Sequence, residues 1–395
     1  MISALAVAAC PGCGAEMESP PPTRSLHDGL ERVSVGAVQH PLTRDLYALD
    51  RWIGVYDGLH WLEIDPFEEP QRIVAVDPGE PGERFRLEPG DLWPEEFDGQ
   101  RMAFGNAEVV DDGLLVSVVH GAAEPRGWSE TRRLLFHVRP DVVRGTYEHA
   151  RITHPEAVGP EFEAILYDAS RSVALVRWDA PEAERPERTP PIFTVYRSPW
   201  RSGQVVEFPK ARSYRRFAVD IHHLVTSDDA GVVVLRAEGS GWREETRIAP
   251  PGPDAADASV EAIAVRENRV AMIWKEPRRV SLHERVEDSW VERHVEPLDP
   301  NIFFSGSTAP LVLGRDALFV GAQAPHSFFD HVLVVAFDGG LCRVVEDPGE
   351  SDESCFARCV GVDGDHLVSW CGGDGSIDFY DHPNCPNLTV LELAR

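Results

Sequence analysis

Cys10 and Cys13, in AACPGCG, carry the spacing of half a tetrahedral zinc site, because two thiolates separated by two residues can close on one ion. Such a site needs a second pair. Cys355 and Cys359 are the nearest match, but their spacing is wider and they fall in a predicted strand, which would leave them too far apart to share an ion. No metal is therefore expected, and no cofactor. His222 and His223, in DIHHLVTS, fall on a predicted first strand, one side chain toward the channel side of a sheet and the other into its packing. They read more simply as satisfied structural histidines than as ligands. His326, Phe328, Phe329, Asp330 and His331, in APHSFFDHV, form a predicted loop. Its two phenylalanines either meet a ligand or plug a neighbouring unit. Trp128 beside Arg126, in EPRGWSE, is placed in an equivalent loop and is a second candidate anchor, since aromatic and arginine side chains dominate binding hot spots. His382 reads as a turn residue beside Pro383, and Asp363 to His366 as a hairpin turn, because the later acidic ligands of a calcium loop are missing.

Motifs for common catalysis are absent. The chain has no HExxH, no GxSxG nucleophile elbow and no GxxxxGK phosphate loop, so no catalytic residue is assigned and the reading leans away from an enzyme. A net charge of -28, with 66 Asp and Glu against 38 Lys and Arg, excludes nucleic acid as the expected partner, because phosphate binding rests on clustered cations. Anionic membranes would repel such a surface as well. A hydrophobic fraction of 43% argues for a packed globular body. No apolar run reaches the roughly 18 residues of a membrane span.

The elements that must position these residues are strands. After residue 30 the chain alternates short apolar and polar runs broken by Gly, Pro, Asp and Asn. A hairpin recurs every 40 to 60 residues or so, the period of a propeller blade. Its second strands are read as WIGVYDG (52 to 58), GLLVSVVHG (113 to 121), SVALVRWDA (172 to 180), GVVVLRAEG (231 to 239), RVAMIWKEP (269 to 277), ALFVGAQAP (317 to 325) and HLVSWCGG (366 to 373). The expected fold is all-β, a seven-bladed β-propeller of four-stranded antiparallel blades around a central channel, spanning 31–395. The fourth unit looks one strand short, since only GWREETRIA separates Gly239 from Pro250. RVSVGAV (32 to 38) is expected to add a strand where the ring closes. In the last unit, HLVSWCGGDGSIDFYD carries a strand, an Asp-Gly turn and a strand ending in Tyr380-Asp381, and it resembles the WD-repeat family over about sixteen residues. That resemblance implies the same propeller fold and no particular activity.

Residues 1–30 read as a signal remnant followed by a flexible tether, GAEMESPPPTRSLHDG. Val7-Ala8-Ala9-Cys10 resembles the bacterial lipobox, which implies a diacylglyceryl group on Cys10 and places the protein in the cell envelope. Nine residues precede Cys10, fewer than a signal peptide has, so the reading expects further sequence upstream of Met1. The remaining cysteines, Cys13, Cys342, Cys355, Cys359, Cys371 and Cys385, are either disulfide partners in an oxidising compartment or buried free thiols. The function expected is a non-enzymatic binding or protein-interaction platform, a lipoprotein joined to the membrane only through its anchor. Its partner would be a protein, a small molecule or a glycan. An envelope hydrolase or lyase with its site at the channel mouth is the first alternative, and a cytosolic propeller adaptor the second.

Overall fold

The computed structural model describes residues 31–32, 36–39, 49–64, 71–77, 80–93, 101–124, 127–155, 163–179, 191–206, 208, 216–228, 230–239, 241–251, 259–298, 311–322, 331–337, 342–346, 359–363, 366–370 and 388–392. Two short strands come first, β1 (Glu31–Arg32) and β2 (Gly36–Gln39). Blade 1 then comprises β3 (Leu49–Tyr56), β4 (Leu59–Ile64), β5 (Arg72–Asp77) and β6 (Glu80–Leu87), followed by a single helical turn, α1 (Pro89–Leu92). Blade 2 comprises β7 (Arg101–Val110), β8 (Gly113–Glu124), β9 (Gly127–Asp141) and β10 (Thr146–Arg151). Blade 3 comprises β11 (Glu163–Ser170), β12 (Val173–Asp179), β13 (Ile192–Arg197) and β14 (Gly203–Val206). In blade 4 the strands are β15 (Phe217–Val219), β16 (His223–Asp228), β17 (Gly231–Glu238) and β18 (Gly241–Ile248). Blade 5 holds β19 (Val260–Arg266), β20 (Arg269–Trp274), β21 (Arg279–Val286) and β22 (Ser289–Pro297). Blade 6 holds β23 (Leu311–Leu313), β24 (Ala317–Ala322), β25 (His331–Ala336) and β26 (Cys342–Glu346), and β1 pairs in parallel with its outer strand. Blade 7 is β27 (Cys359–Asp363), β28 (His366–Trp370) and β29 (Leu388–Glu392), completed by β2.

The described strands thus form seven sheets, antiparallel except for the β1–β26 pair, and the all-β propeller expected from the repeat is what the chain builds. The first strands touch in sequence around the ring, β3 to β7, β11, β15, β19, β23 and β27, and β27 returns to β3. Closure is made by a strand from the other end of the chain, since β2 lies antiparallel on β29 with Gly36 opposite Glu392 and Gln39 opposite Thr389. The strand expected at the seam is there.

Packing explains why the repeat is visible in the sequence. A middle strand of a blade is covered on both faces by its neighbours, so β12, β16 and β20 are buried almost throughout and read as apolar runs rather than as alternating ones. Outer strands are wet on both faces, and β10 and β22 are correspondingly polar. The apolar clusters straddle neighbouring blades. Trp61 and Phe85 of blade 1 meet Phe104 and Phe136 of blade 2, Leu115 and Leu135 of blade 2 meet Trp178 and Tyr196 of blade 3, and Phe319 of blade 6 meets Leu367 of blade 7. Full burial of each such side chain favours the closed ring by roughly 1.5–3 kcal/mol relative to exposure.

Two strand assignments are corrected. WIGVYDG belongs to the first strand of blade 1, and GVVVLRAEG is the third strand of blade 4. Blade 4 is therefore complete. Its first strand is the three-residue Phe217-Ala218-Val219, too short for the alternation rule to detect.

Candidate functional site

Polar groups converge along the inner strands of blades 1 to 4. A one-residue bulge interrupts β7 between Phe104 and Asn106 and β11 between Leu166 and Asp168, and β3 has one at the matching place between Trp52 and Gly54. An extra residue re-aims the side chain that follows it. At all three places that residue reaches the next blade. Gly54 lies so close to blade 2 that a Cβ there would stand 2.9 Å from Val109 Cβ. Asn106 Nδ2 donates to the carbonyl of Leu166 at 2.9 Å, and Asp168 Oδ2 accepts from the Val219 amide at 2.6 Å.

Charge gathers around these bridges. The Arg51 guanidinium donates to Asn106 Oδ1 and to the Ala107 carbonyl, and lies 3.5 Å from Glu108 and 3.8 Å from Glu63. Burial pushes the Glu108 carboxyl above its ordinary range, against the opposing pull of Arg51. Asp168, on blade 3, is bonded to blade 4 through the Val219 amide, and its surface is partly covered. Burial, followed by the neighbouring Glu108 charge, pushes its carboxyl up to about 8, with Asp220 adding to the effect and hydrogen bonds from the Val219 and Ala169 amides opposing it. At neutral pH Asp168 therefore holds a proton beside two other carboxyl groups, the arrangement from which a general acid is built.

Blade 4 meets blade 5 through a second polar cluster. Asp220 Oδ1 accepts from the amides of His222 and His223 at 2.8 and 2.6 Å, closing the bend before β16. The two histidines thus leave the predicted first strand. His222 is exposed in the bend, and His223 opens the second strand with only 2% of its surface accessible. The polar turn made by Asp220 is the physical reason. His223 Nδ1 lies 3.6 Å from Asp220 and its Nε2 3.6 Å from Glu245. Glu245 is the extra residue of a bulge in β18. It accepts from Arg285 Nε at 2.7 Å and Trp290 Nε1 at 3.0 Å, both on blade 5. Burial raises the Glu245 carboxyl, but these two donors and the Arg285 charge hold it below its ordinary value. With the imidazole enclosed, this cluster joins two blades rather than meeting a substrate.

The sequence-derived anchors fare differently. Trp128 stands on β9 opposite Ala123, in a strand instead of the expected loop, because the β8–β9 hairpin continues almost to its tip. Arg126 lies outside the described residues. His331 is the first residue of β25, not part of a loop, and pairs with Ala322. His326, Phe328, Phe329, Asp330, Cys10, Cys13, Cys355, Cys371, Cys385 and His382 lie outside the described residues. Cys342 and Cys359 open β26 and β27, with side chains that are likewise not described. Asp363 and His366 pair across a tight hairpin, in keeping with the turn reading. Among the described residues no group of three or more His, Cys, Asp and Glu is placed to hold a metal ion, and no helix is long and apolar enough to cross a membrane. Asn106, Glu108 and Asp168 were missed from the sequence. Their signal is faint: FGNAE and LYDAS, each with an Asx-Ala pair inside an apolar inner strand.

No protein-family model matches the chain, and no curated protein matches it. Solved structures do. A prolyl endopeptidase superposes with TM-score 0.50 and 13% identity over 83% of this chain and 46% of its own. A puromycin-hydrolysing peptidase of Mycobacterium tuberculosis does so with TM-score 0.50 and 16% identity over 86% of this chain and 52% of its own. A puromycin hydrolase gives TM-score 0.50 and 12% identity over 86% and 53%. The chain spans about half the length of these proteins, and at such identity the likeness is one of fold.

Proposed function

We propose that the protein is a non-enzymatic binding platform, a rigid propeller that presents a projecting hairpin to a protein, small-molecule or glycan partner. The β8–β9 hairpin supports this reading best. Its strands run to 12 and 15 residues, against 7 in β12 and 6 in β20. Among the described residues, pairing with the inner strand β7 reaches Gly121, and Ala122, Ala123 and Glu124 pair with β9 alone. At about 3.3 Å per residue the hairpin runs roughly 10 Å beyond the last described pair with β7, Arg101 opposite Gly121. It carries Trp128 and, by sequence, Arg126, residue types suited to a hot spot. A variant with Arg126→Ala and Trp128→Ala is expected to melt as the parent does and to lose at least about tenfold in affinity for the physiological partner identified by crosslinking. Unchanged partner recovery would remove the hairpin from the reading.

The envelope address rests on Cys10. Metabolic labelling with a radioactive fatty acid in a bacterial host, using the gene with its upstream sequence, should mark the parent and leave Cys10→Ala unmarked. Equal labelling of the two would exclude this anchor.

A hydrolase or lyase acting at the channel is the second reading, and the protonated Asp168 beside Glu108 and Asp220 favours it. It expects turnover of ester, lactone or glycoside chromogenic substrates that is lost in Asp168→Asn. Turnover equal in the two proteins would end it.

A further inference from the structure

Where blade 4 meets blade 5, the buried His223 ring has a carboxylate at each end. Nδ1 lies 3.6 Å from Asp220 Oδ1 and Nε2 lies 3.6 Å from Glu245 Oε2. Neither ring nitrogen has a hydrogen-bond partner among the described residues, and neither has Asp220 Oδ2. A neutral imidazole carries one N–H and one bare lone pair. Whichever tautomer it adopts here, the lone pair faces a carboxylate oxygen in a site closed to water, where nothing offsets its burial. The imidazolium ion carries an N–H at both ends and meets an acceptor with each.

Every element packed around the ring brings a polar group. On the bend before β16, the exposed His222 has its ring 6.3 Å away. On β17, Arg236 lies 3.6 Å from Glu245 Oε1. On β21, Arg285 donates to that same oxygen at 2.7 Å, and His283, two residues before it, lies 3.8 Å from Glu292 of β22. Trp290 of β22 donates to Glu245 Oε2 at 3.0 Å and meets the imidazole edge-on, with centroids 5.4 Å apart. The two arginines repel a further cation, but both address Oε1, which leaves Oε2 to Trp290 and the imidazole. Against the effect of burial, the Trp290 and Arg285 donors and the neighbouring charges hold the Glu245 carboxyl below its ordinary range. Glu245 is therefore an anion throughout the range in which an imidazole changes charge.

We infer that His223 is held as an imidazolium ion between Asp220 and Glu245, and that loss of its proton loosens the contact of blade 4 with blade 5, a pH-sensitive joint built into the ring. Glu245 is the group through which blade 4 holds Arg285 and Trp290 of blade 5, so a bare nitrogen turned toward Oε2 weakens that hold. The bend is affected as well, because the amides of His222 and His223 both rest on Asp220 Oδ1. A proton bound more tightly by the native ring than by the unfolded chain adds stability on the acid side. That stability is lost as the pH rises through the titration of the imidazole.

Nitrogen NMR of the full chain carrying 15N-labelled histidine reads the protonation state directly. The signal that disappears in His223→Gln is expected to show two protonated nitrogens at pH 7 and one bare nitrogen at alkaline pH. Urea midpoints taken from pH 5 to 9 should fall for the parent relative to His223→Gln as that proton leaves. Asp168 and Glu108 are present in both proteins, so their titrations cancel from the difference. In Glu245→Gln, which removes one of the two facing charges, the same signal should lose its proton about one pH unit lower or more. If His223→Gln does not fold, the signal is the one that Glu245→Gln displaces. A bare nitrogen on His223 already at pH 7 overturns the inference. Parallel stability curves overturn it too, as does a Glu245→Gln protein in which no histidine titration has moved.

Discussion

Asp168→Asn should flatten the alkaline side of the protein's stability profile. In the folded chain the Asp168 carboxyl titrates at about 8, and in the unfolded chain it returns to about 3.9. Between those values the folded state binds a proton that the unfolded state lacks. The stability this group contributes is full below about pH 4 and is lost as the pH rises through 8, with a slope approaching 1.4 kcal/mol per pH unit. Asparagine keeps an oxygen for the Val219 amide and has no charge to desolvate. Urea midpoints measured at pH 5, 7 and 9 should therefore fall steadily for the parent and much less for the variant. Glu108, also raised by burial, titrates with the same sign, so part of the slope will survive in Asp168→Asn. Parallel curves for the two proteins would show that Asp168 is ionised in the native ring.

The second large effect is expected at the seam. A Cβ on Gly361 of β27 would stand 2.2 Å from the Trp52 ring of β3, so blades 7 and 1 approach through the absence of a side chain. Trp52 cannot simply swing aside, because its indole nitrogen donates to His60 Nδ1 at 3.2 Å. Gly361→Val should cost about 2–3 kcal/mol through overpacking, visible as a lower urea midpoint and as tryptophan fluorescence altered before global unfolding. Gly90→Ala is the control, since its Cβ would meet only the Met102 methyl, at 3.7 Å. Equal loss in both variants would mean that the seam is no more tightly packed than a surface turn.

Much of the fold was legible because middle strands buried on both faces must be written as apolar runs, as VALVRWD and RVAMIW are. Blade 4 misled for the same reason. GVVVLRAE is as apolar as any second strand, while the true first strand, Phe217 to Val219, is too short to register. The site was much harder to read. Asn106 and Asp168 acquire their roles from bulges, and a bulge shifts register without any residue that demands it, apart from Gly105. Between blades 2 and 3, Asp112 meets His137 and Trp200, residues far apart in sequence whose contact depends on how one blade packs against the next. Histidine pairs and exposed aromatics stood out in the text as strings, but the buried one, His223, is pinned by Glu245 and Trp290 from strands no local pattern connects.

The clasp formed by β2 on β29 sets a timetable for folding. Strand β2 precedes all seven blades' own strands and pairs with β29, which follows them, so its hydrogen-bonding edge stays open while the strands between them are made. Contacts of such sequence separation form slowly, because loop closure is opposed by entropy until the intervening blades have compacted. Until then the nascent ring is an open arc with sheet edges at both ends, prone to pair with other chains. A circular permutant that opens the ring between two other blades and links the segment after β29 to the segment before β1 would bring β27, β28, β29 and β2 into one continuous stretch, and should close sooner.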